Sequence, residues 1–228
     1  MPFQLRNLQE YREAYQKSID SSESFWAEIA SEFVWEKKWD KVLEYDFQIA
    51  DTKWFIGGKV NITVNCLDRH LDSKGDQVAL LWEPNEPGNE SRSYTYTQLF
   101  EEVCRVANGL KSIGVTKGDR ICFYMPMVPE LALGILACAR IGAIHNVVFA
   151  GFSAQALSDR IKDSGCRVIL CADYNSRGPK MSALKMIVDE AIAMDCKSVE
   201  KVIVLRNTGG GVSWINDRDL WWEELVKD

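Results

Sequence analysis

Between residues 118 and 173, three short apolar runs at 121–125, 144–149 and 167–171 alternate with two helical patterns, and few folds accept that succession. The first helix is expected to begin at Pro129, because proline suits the first helical position, where no N–H donor is needed. Leu131, Ile135 and Cys138 mark one face of it, and Ala132, Leu136 and Ala139 the adjacent one. An apolar arc that wide belongs to a helix covered on two sides. The second helix has Ser153 as N-cap, Ala154, Leu157 and Ile161 at helical spacing, and Gly165 as its stop. Strand, helix, strand, helix, strand at this spacing predicts parallel strands joined by crossovers. The fold class is therefore α/β, with a wound, mainly parallel sheet flanked by helices.

Composition narrows the function classes. At 228 residues the chain can bury a sizeable core, and its net charge of −6 argues against nucleic acid or an anionic membrane as partner. No apolar run approaches the roughly 18 residues of a membrane span. The amino terminus is amphipathic and charged, unlike a signal peptide. The seven cysteines are odd in number, form no C-x-x-C pair and lie mostly in apolar runs, which reads as reduced thiols in a cytoplasmic protein. Asn61 and Asn89 head glycosylation triplets that, in such a setting, are chance matches.

Residues 1 to about 50 are expected to be helical and are unusually aromatic, with Ser24 as a candidate cap. They read either as a sheath over the chain's own domain or as a docking arm for a partner. Val60, Ile62 and Val64 alternate as in an extended segment, and 65–71 suggests a helix ending before Gly75. Runs 78–82 and 93–96 form a hairpin, and Thr97 caps a helix that Gly114 ends. Beyond the central unit, a helix is expected over 179–194, a buried strand over 201–205 and a short helix over 218–226. The turn Gly209-Gly210-Gly211 lacks the Lys-Ser/Thr of a phosphate loop and reads as a tight reversal. The domain reading is an amino-terminal extension over 1–75, packed on a domain over 76–228 whose wound part starts at about 118.

The chain has two histidines, His70 and His145, neither of them near a nucleophile elbow and neither with metal-ligand spacing. Both read as structural, and Asp68, Arg69 and Asp72 as a solvated or capping cluster. No catalytic residue and no metal ligand is assigned. Two loops carry more. Residues 149–153 (Phe149, Ala150, Gly151, Phe152, Ser153) lie at the carboxyl end of a predicted parallel strand, where open α/β sheets bind ligands. A small-residue turn there lets a planar ring lie on backbone, and the helix start behind it favours an anion. Residues 173–180 follow the next strand, with Arg177 and Lys180 separated by Gly178-Pro179 at an expected helix start, which suits a phosphate. On spacing alone, both loops also read as simple connections.

At these residues the chain resembles the AMP-forming acetyl-coenzyme A synthetases of the acyl-adenylate-forming superfamily. The resemblance covers nearly the whole chain and includes FWAEIA (25–30), WFIGGKVNITVNCLDRHL (54–71), GDRICFYMPMVPELALGILACARIGAIHNVVFAGFSAQAL (118–157) and RDLWWEEL (218–225). It implies acetate, ATP with magnesium, and coenzyme A as reactants, with acetyl-adenylate as intermediate. It implies that Phe149 and Gly151 line the adenine pocket of coenzyme A, and that Arg177 and Lys180 approach its 3′-phosphate. Two segments depart from the family pattern. Ala150 stands where a glycine is usual, and Arg177-Gly178-Pro179-Lys180 replaces Arg-Gly-Gly-Arg, so Lys180 keeps the charge without the bidentate fork. The family's phosphate loop, adenine motifs, acetate pocket and catalytic lysine lie downstream of residue 228. The resemblance thus implies the amino-terminal portion of a longer enzyme, inactive alone, with the rest of its own polypeptide as partner. The competing expectations are a propionate or other short-chain acid enzyme, and a stand-alone coenzyme A or nucleotide-binding module.

Overall fold

The computed structural model describes residues 4–86, 88–178 and 180–227. The chain divides into two compact units, Met1–Asn65 and Cys66–Asp228.

In the first unit, helices α1 (Leu8–Asp20) and α2 (Ser22–Ser31) are followed by a hairpin, β1 (Lys41–Asp46) with β2 (Asp51–Ile56). Helix therefore stops well before residue 50. The hairpin brings Phe55 of β2 back onto Trp35 and Trp39, which precede β1, and the three rings meet with centroids 4.9–5.3 Å apart. Ser24 lies inside α2, with Ser21 as the N-cap residue. Short helix α3 (Ile62–Cys66) replaces the expected extended segment. Its β-branched residues alternate like a strand, but the Asn61 side chain accepts from the Thr63 N–H at 3.0 Å and from its hydroxyl at 2.7 Å, a local cap that starts a helix. Asn65 closes the unit by pairing with both backbone groups of Val34, at 2.7 and 3.0 Å.

The second unit opens with a helical turn at Asp68–His70 and α4 (Leu71–Lys74), short pieces where one helix over 65–71 was expected. Hairpin β3 (Val78–Trp82) and β4 (Arg92–Thr95) comes next, then α5 (Tyr96–Ser112). The cap of α5 is Thr95 rather than Thr97, because Gln98, three residues on, completes a capping box. The core of the unit then forms as β5 (Arg120–Tyr124), α6 (Pro129–Ile141), β6 (Ile144–Val147), α7 (Ala154–Ser164) and β7 (Val168–Ala172). Pro129 opens α6, Ser153 caps α7, and Gly165, at φ +60°, ends it. Two short strands, β8 (Asn175–Arg177) and β9 (Lys180–Ser182), form an antiparallel hairpin, followed by α8 (Leu184–Ala193). Helix is thus absent from the described residues of 180–183; Pro179, the expected helix start, lies outside the described residues. The chain closes with β10 (Lys201–Leu205), β11 (Asp219–Trp221) and α9 (Trp222–Leu225). Strand β11 takes the first half of the helix expected over 218–226, because its backbone pairs with β10.

Five strands make one sheet in the order β11-β10-β7-β5-β6, every neighbour parallel. Strand β7 is buried along its whole length, as a strand covered on both faces must be. Phe123, Leu157, Ile161, Leu170, Val188 and Ile203 are fully buried between sheet and helices. Five of the seven cysteines are buried in this unit, and all seven are free.

Candidate functional site

Parallel pairing sends every strand of the sheet the same way, so the loops after β6, β7 and β10 leave from one edge. Strand β5 lies between β6 and β7. The residues singled out after β6 and after β7 therefore flank a single strand at the carboxyl edge.

After β6, Val148 still pairs with β5 through its N–H on the Phe123 carbonyl at 2.8 Å, and the chain then turns, Phe152 N–H to Phe149 carbonyl at 3.0 Å. The Tyr124 hydroxyl at the end of β5 fixes the far side of this turn by donating to the Phe152 carbonyl at 2.6 Å. Burial raises the Tyr124 phenol above its usual range, which keeps it a donor. Phe149 is 62% exposed and meets Phe152 edge to face at 5.8 Å, and the Arg160 guanidinium lies 5.0 Å from the centre of the Phe152 ring. A Cβ on Gly151 would stand 2.5 Å from the Phe149 ring, so glycine is what lets that ring fold over the turn. Ala150 is buried, and its methyl is covered by protein rather than turned to solvent.

After β7, Arg177 and Lys180 occupy facing positions across the β8–β9 hairpin, with Gly178 at φ +58° between them. They sit on a hairpin tip rather than at a helix start, since α8 begins four residues after Lys180. Lys180 is exposed. The expectation placed on the Arg177 side chain lies outside the described residues; its backbone belongs to β8.

The hairpin grows from Asp173, a fully buried carboxylate that the sequence reading passed over. It accepts the backbone N–H groups of Tyr174 at 2.6 Å, Asn207 at 2.9 Å, Thr208 at 3.2 Å and Gly209 at 2.8 Å. Three of those donors belong to the glycine turn after β10. That turn is thus an anion-cradling nest filled by the chain's own carboxylate. Beyond it, Gly209 to Val212, Arg206, Trp214 and Trp221 line a cavity of about 270 Å³.

A second charged group behind the edge was also missed. The Lys185 ammonium is fully buried and bonds Asp189 at 2.8 Å and Asp219 at 2.9 Å, while Arg218 bonds both carboxylates at 2.6 Å. Burial pushes the Asp219 carboxyl up, but Arg218, the Ile215 N–H and Lys185 together hold it below the usual carboxylate range. These charges neutralise one another and brace α8 against β11. In the sequence Lys185 and Asp189 have the i,i+4 spacing of a helical ion pair, but no spacing ties them to Arg218 and Asp219. His70 packs on Tyr96 with centroids 5.1 Å apart, and His145 is exposed in β6. Among the described residues, no group of three His, Cys, Asp or Glu side chains is placed to hold a metal ion.

The turn and the arm stand at the carboxyl edge of a wound sheet, where open α/β folds bind their ligands. Residues 67–220 match the model of the AMP-binding enzyme family, and the chain belongs to that family. Residues 11–66 match a second model, the acetyl-coenzyme A synthetase N-terminus. Among curated relatives, acetyl-coenzyme A synthetase 2 of Pseudomonas putida is 48% identical over 220 residues, 96% of this chain and 34% of that protein. The acetyl-coenzyme A synthetase of Saccharophagus degradans is 50% identical over 219 residues, with the same coverage. The chain therefore spans about a third of the length of these relatives. A solved acetoacetyl-CoA synthetase from Streptomyces lividans shares the fold, with TM-score 0.83 at 24% identity, over 93% of this chain and 32% of that one.

Proposed function

We propose that this chain supplies the amino-terminal part of an AMP-forming acetyl-coenzyme A synthetase and carries one wall of its coenzyme A site. The likeness to acetyl-coenzyme A synthetases along the whole chain carries this reading. The overall reaction joins acetate to AMP with release of pyrophosphate, then passes the acetyl group to the coenzyme A thiol with release of AMP. In this reading the adenine of coenzyme A lies against the exposed Phe149 ring, which Gly151 lets fold over the turn, while Arg177 and Lys180 on the β8–β9 arm meet the 3′-phosphate. Acetate is the acid and the rest of the polypeptide is the working partner. No membrane or nucleic acid is involved, and the cytoplasm is the setting; no helix among the described residues is long and apolar enough to cross a membrane.

The adenylating step belongs to that partner. Phosphoryl chemistry needs cations held around the phosphates. Here Lys185, Arg218, Arg167, Arg92 and Arg140 are committed to carboxylates of their own chain. The pure 228-residue chain should therefore form no AMP from acetate, ATP and magnesium, with or without coenzyme A, while the complete gene product should do so. Turnover by the chain alone would overturn this division of labour. Coenzyme A binding without turnover by the complete product would point instead to a stand-alone binding module.

A further inference from the structure

The glycine turn after β10 has the backbone of an anion site, yet its N–H groups face inward onto Asp173. Both carboxylate oxygens are engaged: Oδ1 accepts from Tyr174, Asn207 and Thr208, and Oδ2 from Thr208 and Gly209. The turn is also tied to the first residue of the arm by side chains. Asn207 donates to the Tyr174 carbonyl at 3.0 Å, the Tyr174 hydroxyl donates to the Gly211 carbonyl at 3.1 Å, and a Cβ on Gly210 would overlap the Tyr174 ring. The Lys185 N–H on the Asp173 carbonyl at 3.3 Å joins α8 to the same point. Three loops or elements thus converge on one residue, and the β8–β9 hairpin emerges from it. The hairpin itself is only two three-residue strands, too little to hold an orientation unaided.

We infer that Asp173 is the positioning residue of the arm: by filling the 207–209 nest, its carboxylate fixes the direction in which Arg177 and Lys180 are presented. The part of this inference that concerns coenzyme A rests on the function proposed above; the part that concerns the arm does not. Asparagine is the informative replacement. It has the size of aspartate, but whichever way its amide lies, an NH2 group confronts a backbone N–H that aspartate accepts. The charge-assisted bonds that hold the turn weaken, and the hairpin loosens while the sheet stays formed.

Two experiments test this. In limited trypsinolysis of the 228-residue chain, Asp173→Asn should speed cleavage after Arg177 and Lys180 about tenfold, while cleavage after Lys117 stays within about twofold. Val106→Ala, a cavity in α5 with a comparable fall in Tm, should leave the ratio of those rates unchanged. In the complete gene product, Asp173→Asn should raise KM for coenzyme A about tenfold, with acetate-dependent pyrophosphate exchange unaltered. Equal acceleration at all tryptic sites, or none at the hairpin, would overturn the positioning role whatever the protein's function. Selective loosening with an unchanged KM for coenzyme A would support the positioning role and overturn the placement of coenzyme A on the arm.

Discussion

At the scale of single residues, close approach decides more than residue class. Gly134 in α6 faces the fully buried Phe123 ring of β5, and a Cβ there would overlap it. In an exposed helix, alanine in place of glycine stabilises by about 1 kcal/mol. Here overpacking of about 1–3 kcal/mol opposes that gain. Gly134→Ala should therefore lower stability in a denaturant titration, and an unchanged or raised midpoint would show that the core yields at this point. Ala150 illustrates the reverse. Its methyl is buried, so a side chain larger than hydrogen is accommodated at that point of the turn. Such distinctions are not legible in sequence, where Gly134, Ala150 and Gly151 are all simply small. Asp173 was equally hidden, since a lone aspartate after an apolar run reads as the end of a strand until the turn that surrounds it is known.

At the scale of elements, periodicity fixed what was long and regular. Strands β5, β6, β7 and β10 and helices α6 and α7 were legible because each combines apolar spacing with a punctuating proline, serine or glycine. The short elements were not. Strands β8, β9 and β11 have three residues each, too few to display a sustained alternation, and pairing decides them. Charges stitch the opposite, amino-terminal edge of the sheet. Arg167 bridges Asp119 and Glu200, each at 2.8 Å, tying the entries of β5, β7 and β10. The Thr116 N–H above all, and Arg167 against the opposing effect of burial, hold Asp119 below the usual carboxylate range. A carboxyl lowered on folding contributes stability above its unfolded pKa, and that stability drains as pH falls through the folded value. Thermal unfolding should show the chain losing stability below about pH 4. Asp119→Asn should shallow that acid limb while lowering Tm at neutral pH. An identical acid limb in the variant would remove Asp119 from the account.

At the scale of the molecule, one all-parallel sheet delivers the turn after β6 and the arm after β7 to a single edge. This arrangement makes a shared ligand geometrically reasonable. The measurement that tests it most directly compares coenzyme A with dephospho-coenzyme A as acyl acceptors for the complete gene product, with and without Arg177→Ala. Only coenzyme A carries the 3′-phosphate, so the variant should lose about 1.5–3 kcal/mol of kcat/KM for coenzyme A and little for its dephosphorylated form. Equal losses on both acceptors, or none on either, would contradict the placement of the phosphate on the arm and with it the assignment of this edge to coenzyme A.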